Sequence, residues 1–204
     1  MPGPIVAPNQ HLSDLINSSN VPDSGTLSRS SAGSFGTALV HHASRDPTGS
    51  QVWRGEVAGV LFGTITNLEE CPFDISDLPR SVLDNPAQTL GALDGSFSLA
   101  CANNQRALAA TDLLGTKPLY WTTTTDGDPL VAASAGTLAP FTADPSIDTT
   151  AIADLLAFGA VQGDRTLSSG IRAVPPRAYA VLNEEGITLN RYDTLPFGQG
   201  NGTP

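Results

Sequence analysis

The chain has 204 residues, 40% of them hydrophobic, which is enough to bury the core of one large domain or two small ones and excludes an intrinsically disordered chain. Twenty acidic residues face ten basic ones, and Lys117 is the only lysine, so the formal net charge is −10. This charge excludes a nucleic-acid partner, because no basic stripe is present to displace counterions from phosphates.

The surplus of acidic residues has two interpretations. A high-salt cytoplasm favours it, because salt screens the repulsion among carboxylates and carboxylates retain water. The alternative is an acidic protein encoded by a GC-rich genome. No apolar run approaches the roughly 20 residues that span a bilayer, and residues 1–10 lack the basic start and the apolar stretch of a secretory signal. We therefore expect a cytoplasmic protein with no membrane partner.

The first half of the chain predicts few regular elements. Ser, Gly and Asn are abundant in residues 18–34, which predicts an irregular loop. Strands are expected at residues 35–42 and 56–66, where apolar side chains are concentrated. Residues 74–93 have a mainly helical pattern, which we expect their two prolines to break.

The second half predicts three hairpins and one helix. The helix runs from Asp148, which can cap its start, to Phe158, and Gly159 can end it. Its apolar residues at positions 152, 155 and 156 share one face. Each hairpin has two short strands on either side of a turn rich in Asn, Asp, Glu or Gly. The paired strands are expected at 96–102 and 106–111, at 118–124 and 130–134, and at 178–183 and 187–192.

Antiparallel hairpins with helices between them predict an α+β layered domain rather than a parallel doubly wound sheet. A single domain over residues 1–196 is expected, followed by a Gly-rich flexible tail at 197–204. Cys71 and Cys101 are too few and too far apart for a metal cluster, and neither lies in a CxxC motif, so neither a metal nor a cofactor is predicted. A cytosolic location disfavours a disulfide between them.

Motifs in the second half of the chain resemble one family. ALDGSFSLA at residues 92–100 is similar to the strand L-x-G-M-F-A-F-A, and DLLGTKPLYW at 112–121 is similar to R-D-x-L-G-I-K-P-L-Y-Y. LVAAS at 130–134 takes the place of F-A-S-E, RTLSSGIRAVPPR at 165–177 resembles R-T-x-F-x-G-I-x-x-L-P-P-G, and Arg191-Tyr192 resembles R-Y-W. Their order and spacing make the chain, from about Val57 to Tyr192, resemble the glutaminase (class II glutamine amidotransferase) domain of the asparagine synthetases.

The resemblance implies a four-layer αββα sandwich of two antiparallel sheets, the N-terminal nucleophile hydrolase fold. It also implies a nucleophilic cysteine directly after the initiator methionine, whose freed α-amino group acts as the base. Pro2 stands at that position and has no nucleophilic side chain. Cys71 and Cys101 cannot replace it, since neither carries a free α-amine. Glutamine hydrolysis is therefore not expected unless the start codon is misassigned.

Other positions that the resemblance assigns to the site are altered. The Asn and Gly of the family's N-G-E-I-Y-N form the oxyanion hole, and this chain has Phe62 and Gly63 there, so only the glycine is kept. Ala43 replaces the arginine that binds the substrate carboxylate. Asp77 falls near the aspartate of S-D-T-E, the alternative being a solvated residue at the start of a helix. Gly63 and Asp77 are thus the vestigial substrate-binding candidates.

Two histidines and two aspartates also invite a catalytic interpretation. His41 and His42 are adjacent on a predicted strand, so their side chains point to opposite faces and cannot act together. Asp94 and Asp112 lie at turns or strand ends, and nothing in the sequence makes them a pair. We expect no acid–base or metal site from these residues.

The sequence contains no Ser-Gly-Gly-x-Asp-Ser loop, which opens the ATP-binding domain of asparagine synthetases. Three functions remain open. The first is a non-catalytic glutaminase-like domain that binds a separately encoded synthetase or cyclase protein, with glutamine as a further candidate ligand. The second is an active amidotransferase subunit for asparagine synthesis whose N-terminus is misassigned. The third is a purely structural relic.

Overall fold

Twelve strands and five helices are present in the computed structural model of the protein, which describes residues 3–18, 25–32, 34–42 and 50–192. The helices are α1 (Asn9–Ser18), α2 (Leu78–Asp84), α3 (Pro86–Gly91), α4 (Ala135–Leu138) and α5 (Thr149–Phe158). The strands are β1 (Gly3–Pro8), β2 (Gly25–Ala32), β3 (Phe35–His42), β4 (Gln51–Trp53), β5 (Ala58–Ile65), β6 (Gly95–Ala102), β7 (Ala107–Thr111), β8 (Tyr120–Thr123), β9 (Pro129–Ala132), β10 (Arg172–Ala173), β11 (Ala178–Asn183) and β12 (Gly186–Arg191).

The strands form two six-stranded sheets. The first sheet has the order β10-β8-β9-β1-β3-β2, and the second has the order β12-β11-β7-β6-β5-β4. Every pair of neighbouring strands is antiparallel. The chain therefore begins in the middle of the first sheet, where β1 lies between β3 and β9.

Alternating side chains on these strands build three apolar clusters. The cluster between the sheets includes Val60 of β5 and Val131 of β9. Leu61, the next residue of β5, faces the opposite way and packs with α2 and α3 on the outer side of the second sheet. A third cluster places Leu15 of α1, together with α4, on the outer side of the first sheet. The result is the predicted α+β fold, a four-layer αββα sandwich.

The strand predictions at 35–42 and 56–66, the three hairpins and the helix after Asp148 are confirmed. The loop predicted over residues 18–34 is wrong in its second part, because residues 25–32 form β2, the strand at the edge of the first sheet. Its Ser-rich composition is tolerated because an edge strand has only one strand partner. Neither β1 nor α1 was predicted, and residues 193–204 lie outside the described residues.

The helical region is divided at its two prolines as predicted, and each proline lies in the first turn of a new helix. Pro79 lies in the first turn of α2 and Pro86 opens α3. The first backbone N–H groups of a helix have no partner within it, so proline is tolerated there. Of the helices within the described ranges, none is long and apolar enough to cross a membrane.

Helix α5 has the end groups that its sequence predicts. The Asp148 carboxylate accepts a hydrogen bond from the Ala151 N–H at 2.9 Å, and Gly159 ends the helix with a φ of 74°. We expect Asp148→Ala to destabilise α5 by about 1 kcal/mol, because one N-terminal donor loses its acceptor. Amide hydrogen exchange of α5 should then be roughly fivefold faster. Asp148→Asn keeps a capping oxygen and serves as the control; equal exchange in the alanine variant would contradict the capping role.

Candidate functional site

The start of β1, in the first sheet, faces β5 of the second sheet. The Ala133 N–H donates a hydrogen bond to the carbonyl of Pro4 at 3.0 Å, so this end of β1 is held beside the residue that follows β9. Gly3 has a φ of 151°, and a methyl group placed on it would lie 2.3 Å from Ala133 Cβ and 4.0 Å from the ring of Phe62. The first described residue of the chain thus touches both sheets, next to the position that the resemblance assigns to the nucleophile. Pro2 itself lies outside the described residues.

Phe62 occupies the place where the resemblance expects an amide side chain. Its half-buried ring packs against the cluster between the sheets. The Lys117 ammonium lies 5.1 Å from the centroid of that ring, within the range of a cation–π interaction. Opposite Phe62 on β6 is Ser98, whose hydroxyl is fully buried and makes no hydrogen bond within the described part of the chain. An aromatic ring donates no hydrogen bond to a developing oxyanion.

Gly63 keeps the backbone conformation that only glycine adopts freely. Its φ is 110°, and it pairs with Phe97 of β6. A methyl group placed on Gly63 would lie 2.1 Å from the carbonyl oxygen of Ser96, far inside van der Waals contact. The close approach of β5 and β6 therefore requires glycine here for a purely structural reason.

A buried carboxylate shapes the loop that carries Lys117. Asp112 follows β7 and is fully buried. Its Oδ1 accepts hydrogen bonds from the N–H groups of Leu114 at 2.8 Å and Thr116 at 3.1 Å. Its Oδ2 accepts from the Phe97 N–H at 3.0 Å and from the Thr116 hydroxyl. Asp112 thereby fixes the turn that leads to Lys117, and the sequence had given no reason to connect it with the site.

Asp77 does not join Gly63. It is exposed, it ends a short 3₁₀ turn before α2, and its carboxylate makes no capping hydrogen bond to that helix. Pro79, two residues later, packs against Gly59. Gly59 lies four residues before Gly63 on β5, which is roughly 13 Å along a strand. The structure thus places Asp77 directly before α2, and no hydrogen bond or ion pair within the described residues links it to Gly63.

The remaining positions that the sequence singled out are only partly described. Ala43 lies outside the described residues. His41 and His42 occupy consecutive positions at the end of β3, opposite Thr26 and Gly25 of β2. The expectation that the two histidine side chains cannot act together stays a prediction.

The two cysteines are on the wrong side of the second sheet to act beside Gly3. Both are free thiols that belong to, or pack against, the outer cluster with α2 and α3. Complete burial raises the pKa of Cys101 far above its usual range. Burial raises the pKa of Cys71 as well, assisted by the negative charges of Glu70 and Asp94. Both thiols are protonated at neutral pH and are poor nucleophiles.

Comparisons with known proteins point to one fold. A family model described as a glutamine amidotransferase domain matches residues 81–193. A solved structure of glutamine phosphoribosylpyrophosphate amidotransferase from B. subtilis, complexed with ADP and GMP, superimposes with a TM-score of 0.59 at 14% identity, over 94% of this chain and 49% of that one. A structure described as the allosteric regulatory enzyme of purine biosynthesis gives a TM-score of 0.60 at 12% identity, over 95% and 49%.

The similarity is one of fold. The chain spans about half the length of the two solved proteins, and identities this low carry no further inference about substrate. None of the curated proteins matches the chain. The chain shares its fold of two antiparallel sheets with these two solved proteins.

Proposed function

We propose a function from the premise that this chain belongs to the glutamine amidotransferase domain family, whose model covers more than half of its length. The proposed function is that of a glutaminase-like domain that does not hydrolyse glutamine and acts as a binding or assembly partner of an ATP-dependent, synthetase-type protein. The observation that carries the proposal is the Phe62 ring, which stands beside Gly3 where the resemblance expects a hydrogen-bond donor.

The loss of a side-chain donor has a known energetic scale. Removal of one oxyanion-hole donor lowers the rate of acyl transfer by roughly 10² to 10³, about 3–4 kcal/mol of transition-state stabilisation. Cys71 and Cys101 cannot serve as replacement nucleophiles, because both thiols are protonated and lie on the outer side of the second sheet. These two features together support a domain without glutaminase activity.

The binding half of the proposal rests on the context of the fold. In both solved structures that resemble the chain, the matching part is about half of a longer polypeptide. A domain of this kind commonly works in contact with a second domain, and interfaces between domains resemble those between proteins. The resemblance to asparagine synthetases supports a synthetase-type protein as the partner in such a contact.

A second candidate is an active, glutamine-hydrolysing subunit for asparagine synthesis. Gly63 favours it, because the residue keeps both its place in the motif and a positive φ of 110°. The structural need for glycine between β5 and β6 explains the same observation without catalysis. We therefore place this candidate second.

An assay of the purified protein separates the two candidates. We expect incubation with glutamine to release no glutamate or ammonia above a protein-free control, and an intact-mass measurement identifies the N-terminal residue of the protein assayed. Ammonia release that a thiol-alkylating reagent abolishes would support the active subunit instead. Variants Cys71→Ser and Cys101→Ser would then show whether either thiol of the present chain is responsible.

For the binding role, we expect the immobilised chain to retain a synthetase-type protein with ATPase activity.

A further inference from the structure

Exposed apolar side chains are concentrated in one segment. Of the seven large apolar residues that are exposed in the described ranges, six lie between positions 147 and 167, which we call the apolar arm. Leu156 is 82% exposed and Phe158 is 70% exposed. The other exposed members are Ile147, Ile152, Leu155 and Leu167. Clusters of exposed apolar side chains on a protein surface commonly mark a site where another molecule binds.

The backbone brings the two ends of the apolar arm together. The Asp148 N–H donates a hydrogen bond to the carbonyl of Leu167 at 3.0 Å, so both ends of the arm meet at the start of α5. Along α5, residues 152, 155 and 156 are spaced so that they share one face. Ala151 is the only buried residue of α5, so the predicted apolar face of this helix does not pack into the core of the domain.

The opposite side of the helix is held by an ion pair. The Arg165 guanidinium lies 2.5 Å from the carboxylate of Asp154, and this contact keeps the pKa of Asp154 below its usual range. The arm is therefore an ordered surface with an apolar face.

The charge of the arm restricts what can cover it. Within the arm, Arg165 is the only cation and Asp148, Asp154 and Asp164 are the anions, a net charge of −2, which Arg172, in a β-bridge with Arg165, reduces locally to −1. Asp154, Asp148 and Asp164 all act on Arg165 and raise its pKa. A second copy of the chain would bring the same negative sign and a net charge of −10. A surface edged by arginine or lysine complements the arm instead.

We propose that the apolar arm is the docking surface for a partner protein whose contact face is an apolar groove edged by Arg or Lys. The inference rests on the proposed function, since it assigns the synthetase-type partner to this surface. Ile152 and Leu156 are the side chains that the groove would enclose, because they are neighbours on the apolar face of α5 and Leu156 is the most exposed apolar residue of the arm. Asp164 contributes to the rim and accelerates association.

Three versions of the full chain test the proposal as immobilised baits. They are the wild type, the double variant Ile152→Ser with Leu156→Ser, and Leu114→Ser, which alters a side chain that is 70% exposed outside the arm. An extract of the source organism is passed over each, and retained proteins are cross-linked and identified by mass spectrometry. Circular dichroism confirms that the three baits are folded, as expected for exposed positions.

We expect the wild type and Leu114→Ser to retain the same synthetase-type protein, cross-linked to residues 147–167 through a basic, apolar surface. The double variant should retain about one tenth of that amount of the synthetase-type protein, or less. With the purified partner, added salt and Asp164→Asn should each slow association several-fold.

The possible failures are distinguishable. If the double variant retains the synthetase-type protein as well as the wild type does, the docking site is overturned and the proposed function stands. If the arm captures an identified basic protein of another kind, the docking site stands and the proposed partner class is overturned. A wild type that sediments as an arm-dependent dimer would overturn the assignment of the occupant. A monomer that retains no partner would overturn both proposals.

Discussion

Asp112→Ala is expected to lower the free energy of unfolding by about 4 kcal/mol, because it removes the acceptor of three backbone N–H groups and one hydroxyl. The carboxylate is fully buried, so water cannot replace it without opening the sheet end. Each buried donor left without a partner costs about 1–3 kcal/mol. Urea denaturation followed by fluorescence of the two tryptophans gives the change as a shift of the midpoint.

Two variants serve as controls for this prediction. Asp126→Ala removes an exposed carboxylate from the turn between β8 and β9 and should change stability by less than about 0.5 kcal/mol. Asp112→Asn keeps the shape and one acceptor oxygen, so an intermediate loss is expected. A change of under 1 kcal/mol in Asp112→Ala would show that the turn leading to Lys117 is held by other contacts.

Local signals explain which elements the sequence could predict. The hairpins around residues 103–105 and 126–128 follow from turn residues and from strands whose partners are neighbours in the chain. The caps of α5 depend on Asp148 and Gly159 alone. These predictions needed no knowledge of distant parts of the chain, and the structure confirms them.

The sequence did not predict β1, α1 or β2. The two strands depend on their partner strands, whereas α1 has a local pattern. Strand β1 is regular because it lies between β3 and β9, and a segment of six residues with two prolines predicts no such position. Helix α1 carried a readable pattern, since Leu12, Leu15 and Ile16 have helical spacing and all are buried. Strand β2 is polar, and its extended conformation depends on hydrogen bonds to β3.

The candidate site was predictable where it follows a motif and unpredictable where it depends on packing. The motif located both Phe62, which departs from it, and Gly63, which keeps it. The contact between Phe62 and Lys117 joins a strand to a loop about 55 positions later, so no local pattern indicates it. The helical spacing of the α5 residues predicted an apolar face, but spacing cannot tell whether the chain itself covers that face.

Gly63→Ala is the second substitution with a large expected effect, a loss of more than about 4 kcal/mol in the free energy of unfolding, which is a large share of the stability of a typical domain. Two costs add. An L-residue at a φ of 110° is strained by roughly 1–3 kcal/mol. In addition, the new methyl group would lie 2.1 Å from the Ser96 carbonyl oxygen, so β5 and β6 would have to separate. Thermal unfolding followed by circular dichroism measures the loss.

Gly186→Ala separates the two costs, because Gly186 has a φ of 118° but nothing within 4 Å of an added methyl group. Strain alone predicts a loss of about 1–3 kcal/mol in that variant. If Gly63→Ala costs no more than Gly186→Ala, the contact with Ser96 relaxes freely, and the sheet does not explain why glycine stands at this position. A much larger cost at Gly63 means that the sandwich needs this glycine whether or not glutamine is hydrolysed. Gly63 would then indicate only the fold of the domain, and Phe62 would remain the position that bears on glutaminase activity.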